Sequence, residues 1–84
     1  MSSFFKDKTI LVTGATGSIG SEIVKQLLKE NPKTVRIFSR DEHKQFLMRQ
    51  RIGDPDEIRY FLGDVRDQPR LVRAMEDVDY VFHC

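Results

Sequence analysis

The chain has one cysteine, Cys84, and no second one to pair with it. That excludes an internal disulfide framework and fits a reducing compartment. Long apolar runs are missing as well, which leaves no candidate for a transmembrane helix. The opening residues Met1 to Lys8 lack the apolar core of a signal peptide. These absences predict a cytoplasmic protein without a membrane partner. Nor is there a surplus of one charge: 14 Lys and Arg stand against 13 Asp and Glu, for a net +1. No basic excess is left for nucleic acid. Residues with metal-ligand spacing are absent, as is a Ser-His-Asp arrangement. A tyrosine base lowered in pKa by a lysine at Tyr-x-x-x-Lys also fails to appear. Asp64 stands where the lysine should follow Tyr60, and Cys84 where it should follow Tyr80. No residue is therefore assigned a catalytic role, and no metal is expected.

What is present is a regular alternation. Lys8 to Val12 predicts a strand whose continuous apolar run suits burial on both faces of a parallel sheet. Ser18 to Lys29 predicts a helix with Ile19, Ile23 and Leu27 in one stripe and Val24 and Leu28 beside it. Asn31-Pro32 stops that helix. Thr34 to Phe38 predicts a second strand. Glu42 to Arg51 predicts a second helix with Phe46 and Leu47 as its apolar contacts. The turn cluster Gly53-Asp54-Pro55-Asp56 leads to a third strand over Ile58 to Leu62. A short helix from Pro69 to Met75 follows, capped by Asp67, with Leu71, Val72 and Met75 facing inward. Tyr80 to His83 predicts the fourth strand. The order β-α-β-α-β-α-β implies an α/β fold with right-handed crossovers. It matches the N-terminal half of a Rossmann doubly wound parallel sheet, with strand order 3-2-1-4. At 84 residues the chain holds one small, marginal domain at most, read as a partial dinucleotide-binding domain over residues 1–84.

Gly14-Ala15-Thr16-Gly17-Ser18-Ile19-Gly20 sits between the first strand and the first helix. A strand, a glycine turn and a helix N-terminus together form a phosphate cradle, because unpaired N–H groups and the helix dipole both favour an anion. Gly14 is expected to make the turn, Gly17 to admit the pyrophosphate, and Gly20 to bring the helix close to the sheet. Thr16, Ser18 and Ile19 belong to the same cradle. An ordinary glycine-rich βα turn is the alternative.

At the end of the second strand a fold selective for NAD places an acidic residue against the ribose 2′-hydroxyl. Here Ser39-Arg40 stands in that place, with Lys44 one helical turn further on. A hydroxyl and two cations suit a 2′-phosphate through charge-assisted bonds, so NADP is expected over NAD. The alternative is a solvated helix start, with Asp41 reaching the ribose. After the third strand, Asp64 is a candidate acceptor for the adenine amino group and Val65 a candidate for packing on the ring. Capping or turn formation is the alternative for Asp64. His83 and Cys84 are read as structural, with Cys84 packed.

The motif Thr13-Gly14-x-x-Gly17-x-x-Gly20 resembles the cofactor loop of extended short-chain dehydrogenases/reductases. The run Val35-Arg36-Ile37-Phe38-Ser39-Arg40-Asp41-Glu42, with Lys44-Gln45, is more discriminating. Together with Arg59 to Asp67 and Asp79 to His83 it resembles the polysaccharide-biosynthesis branch. That branch includes inverting UDP-N-acetylglucosamine 4,6-dehydratases and related sugar epimerases. The resemblance implies a tightly held NADP, reduced and reoxidised within one cycle. Hydride leaves sugar C4, water is lost across C5–C6, and hydride returns at C6. It also implies a UDP-sugar substrate, a homo-oligomer when intact, and a catalytic tyrosine and lysine beyond the matched region. Some members carry an N-terminal membrane portion, whereas this chain starts close to its first strand and reads as the soluble form. It is expected to end before the catalytic and substrate regions and to be inactive alone. A 4-epimerase or NADP-dependent reductase of the same fold is the alternative, as is a non-catalytic cofactor sensor.

Overall fold

The structure is a computed structural model and describes residues 4–84. Seven elements follow one another: β1 (Thr9–Thr13), α1 (Ser18–Leu28), β2 (Thr34–Ser39), α2 (Glu42–Ile52), β3 (Ile58–Leu62), α3 (Gln68–Ala74) and β4 (Tyr80–His83). The strands form one parallel sheet in the order β3-β2-β1-β4. This is the expected half of the doubly wound fold, with element ends shifted by a residue or so.

β1 is buried along its whole length because it has a strand on each side and helices on both faces. Its side chains alternate between two cores. Ile10 and Val12 join Val35, Ile37 and Ile58 beneath Val24 and Leu27 of α1 and Met48 of α2. Leu11 and Phe38 meet Ala74 of α3 on the opposite face. Each large aliphatic side chain so buried contributes about 1.5–3 kcal/mol.

The helices use the predicted faces only in part. In α1 Val24 and Leu27 are buried and Ile23 and Leu28 pack against the core as expected, while Ile19 departs from the stripe and is 73% exposed. In α2 the buried pair is Gln45 and Met48, while Phe46 and Leu47 face outward. A polar residue takes the inner position there because three acceptors wait for its amide, at Ser39 O, Ser39 Oγ and Phe61 O. In α3 Ala74 is buried and Leu71 half-buried, but Val72 and Met75 are exposed. The Arg36 guanidinium fixes the end of that helix, donating to the carbonyls of Ala74 (2.8 Å) and Glu76 (2.7 Å).

The caps follow the sequence more closely. Asp67 accepts from the Arg70 N–H, as expected of a cap, and Asp41 does the same for Lys44 at the start of α2. After α1 the chain turns through Asn31 at φ 55° into the buried Pro32.

Candidate functional site

The carboxyl ends of the strands line up. Thr13 of β1 is in register with Phe38 of β2 and with His83 of β4, and Ser39 is in register with Leu62 of β3. In a parallel sheet this edge gathers the loops that hold ligands. A cleft of about 450 Å³ opens there.

The glycine loop forms one wall, and its three glycines serve three different purposes. Gly14 has φ +63°, and a Cβ on it would lie 2.7 Å from the Cys84 carbonyl oxygen. Gly20 is buried under the loop. A Cβ there would run into the Gly14 carbonyl oxygen and lie 2.6 Å from Ala15 Cα. The close approach is therefore of helix to loop rather than of helix to sheet. Gly17 is different, since its nearest neighbour is the Gly14 oxygen at 3.6 Å and the rest of its surroundings is open. Gly17 is also the N-cap of α1 and supplies no side-chain cap. The first N–H groups of the helix are thus left for a ligand or solvent, at the positive end of its dipole.

Of the residues predicted to bind cofactor, Gly14, Thr16, Gly17, Ser39, Arg40, Lys44, Asp64 and Val65 all line this cleft. The other three do not. Ser18 and Ile19 are exposed in the first turn of α1, and Gly20 lies beneath the loop. Thr13, Phe38, Gly63, His83 and Cys84 also line the cleft, together with Asp41. Asp41 is expected only as the alternative contact to the ribose, and the others lie at or just beyond the carboxyl ends of strands. His83 Nδ1 lies 2.6 Å from Thr13 Oγ1, tying β4 to β1 at the floor. Cys84 is exposed, so the packing role expected for it is not found. Its backbone, pressed against Gly14, is what shapes the site.

Charge is arranged unevenly along the cleft. The Asp64 carboxylate accepts from Arg66 N (2.9 Å), Nε (3.1 Å) and an η-nitrogen (2.8 Å). These bonds hold its pKa well below the usual carboxylate range, with a smaller contribution from Arg40. The first of them closes a turn of the Asx type, the alternative weighed for this residue. Arg40 reaches Asp64 at only 3.5 Å and remains largely exposed. Lys44 has no carboxylate partner among the described residues. The free charge beside Ser39 is therefore positive. Among the described residues no group of three or more His, Cys, Asp or Glu side chains could hold a metal ion. No described helix is long and apolar enough to cross a membrane.

Comparison with known proteins adds a family to this geometry. Residues 10–84 match the family described as polysaccharide biosynthesis protein. A Methanocaldococcus jannaschii protein named as an uncharacterized membrane protein is 58% identical over 84 residues, covering 100% of this chain and 25% of that one. A UDP-glucose 4-epimerase of Rickettsia bellii is 48% identical over 95% of this chain and 24% of its own. An inverting UDP-N-acetylglucosamine 4,6-dehydratase of Campylobacter jejuni is 51% identical over the same shares. The solved structure of Pen from Bacillus thuringiensis superposes with a TM-score of 0.93 at 50% identity, over 96% of this chain and 26% of that chain. The chain thus spans about a quarter of the length of these relatives. It belongs to the polysaccharide biosynthesis protein family, built on the short-chain dehydrogenase/reductase fold.

Proposed function

We propose that the cleft holds the adenosine and pyrophosphate half of NADP, and that the chain is the cofactor-binding part of a nucleotide-sugar 4,6-dehydratase of the UDP-N-acetylglucosamine type. The observation that carries the cofactor reading is the pairing of an uncapped helix N-terminus with a row of donors at the end of β2. Thr16, Gly17 and the first turn of α1 would take the pyrophosphate on backbone N–H groups. Ser39, Arg40 and Lys44 would take the 2′-phosphate, which only accepts hydrogen bonds. Val65, 40% exposed at the rim, would lie against adenine. Asp64, braced by three bonds from Arg66, would stand beside the adenine amino group. When bound, the nicotinamide of such a cofactor accepts and returns a hydride.

The Campylobacter relative supports a UDP-sugar substrate and dehydration. The Rickettsia relatives, at 45–48% identity, support 4-epimerisation as a second reading. The two differ in product: dehydration releases water and leaves a 4-keto-6-deoxy sugar, whereas epimerisation leaves the mass unchanged. Mass spectrometry after incubating the protein that carries this chain with UDP-N-acetylglucosamine separates them. For the cofactor, NADP is expected to bind more tightly than NAD, and Arg40→Ala to weaken NADP by roughly tenfold or more. Equal affinities for the two dinucleotides, unmoved by the substitution, would overturn the NADP reading.

A further inference from the structure

Gln45 is the one amide side chain among the described buried residues, and it sits directly behind the Ser39 edge of the cleft. Its Nε2 donates to Phe61 O (2.9 Å) and to Ser39 Oγ (3.0 Å), with Ser39 O more distant at 3.4 Å. The carbonyl partners fix which end of the amide is the nitrogen, because a carbonyl oxygen can only accept. The consequence falls on the serine. One lone pair of Ser39 Oγ is filled by an N–H, so the hydroxyl acts as acceptor toward Gln45 and its own proton must go elsewhere. The Ser39 carbonyl is already engaged by Gly63 N–H at 2.8 Å. Ser39 lines the cleft, and the cleft is where a new acceptor can enter.

We propose that Gln45 is a positioning residue for cofactor choice: by donating to Ser39 Oγ it presents the serine proton to the cleft and so favours a 2′-phosphate over a 2′-hydroxyl. This rests on the NADP reading above. The local carboxylates that could reverse the preference are held by neighbouring donors, Asp64 fully and Asp41 through one of its oxygens. Arg66 holds Asp64, and Asp41 accepts from Lys44 N–H at 3.0 Å. The edge therefore offers donors from Ser39, Arg40 and Lys44 together. A ribose 2′-hydroxyl, which gives as well as takes a hydrogen bond, gains less from such a row.

The test measures the dissociation constants of NADP and NAD for wild type, Gln45→Met, Ser39→Ala, Ser39→Thr and the Gln45→Met/Ser39→Ala double variant. Gln45→Met is expected to weaken NADP about tenfold while changing NAD by less than about twofold. Ser39→Ala is expected to do the same, Ser39→Thr to keep the preference, and the double variant to be no worse than either single one. A structural role alone would weaken both dinucleotides alike, and that outcome for Gln45→Met overturns the proposal. So does a Ser39→Ala variant with an unchanged NADP-to-NAD ratio, which keeps the test decisive even where Gln45→Met fails to fold. A wild type indifferent to the 2′-phosphate brings down the NADP reading itself. A wild-type preference that survives both substitutions removes only the role of Gln45.

Discussion

A methyl group added at Gly20 and one added at Gly17 meet different surroundings. At Gly20 it runs into the backbone of Gly14 and Ala15, which cannot move without opening the loop. Gly20→Ala is expected to destabilise by about 1–3 kcal/mol in denaturant unfolding. Gly17→Ala meets open space, so its stability cost should stay at about 1 kcal/mol or less. Its effect should appear in dinucleotide binding. Asp64 and Tyr60 extend the residue scale to charge and burial. Because Arg66 depresses the Asp64 pKa, the pair contributes stability above the ordinary aspartate range. That contribution is lost as pH falls through the lower, folded value. Arg66→Ala should move the Asp64 carboxyl titration, followed by carbon NMR, up toward ordinary values. No upward movement would mean that Arg66 is not the cause. The Tyr60 hydroxyl is buried without a hydrogen-bond partner, and burial raises its pKa. Tyr60→Phe should therefore melt no lower than wild type, since it removes a desolvated group that nothing satisfies. The glycine spacing could be read from the sequence because turn chemistry is local. The tie from Arg66 to Asp64 could not, since carboxylates after a strand serve caps, turns and ligands with the same residues.

At the scale of elements, the strands announced themselves and the helices did so only in part. Thr9–Thr13 is buried along its whole length and Thr34–Ser39 carries Val35, Ile37 and Phe38 into the core, so their strand character was plain in the sequence. α2 required a choice of face. Its two most apolar neighbours, Phe46 and Leu47, lie outside, and Gln45 lies inside because acceptors 6 and 16 residues away in sequence receive its amide. Hydrophobic periodicity has no access to such partners. The same holds for Arg36, a charged residue in the middle of β2 whose purpose is to satisfy the end of α3. Replacing it with methionine should keep the sheet and loosen α3, by about 1–3 kcal/mol. Native-state hydrogen exchange would read this as early loss of protection over Gln68–Ala74 with β1 and β2 unchanged. Uniform loss across the chain would contradict a local role.

For the whole molecule, β4 forms an edge of the sheet, and Val81 on it is 46% exposed, as are Val72 and Met75 on α3 to a similar degree or more. An exposed parallel edge with apolar flanks invites pairing between copies. The 84-residue chain on its own should show concentration-dependent sedimentation, and Val81→Lys should reduce it. A monomer with a sharp cooperative melt at all concentrations would contradict both this and the marginal stability expected from its size. The strand order was inferable from the alternation of elements and the handedness of crossovers. The cleft was inferable from the same rule, but its floor of Thr13 and His83 needed the register.

That register also sets a timetable. Asp79 and Thr9 bond to one another across 70 positions of chain, so β4 closes on β1 only after all the elements between them have been made. On a ribosome, β1, α1, β2, α2 and β3 emerge and can collapse together while one flank of β1 still waits. The closing step is the slow kind, because a long loop must be ordered before any contact rewards it. His83 and Cys84 arrive with that step and complete the cleft. If the cleft holds a dinucleotide as proposed, a nascent chain should gain affinity for it only once β4 has docked, which binding measured on chains stalled before and after residue 84 would show.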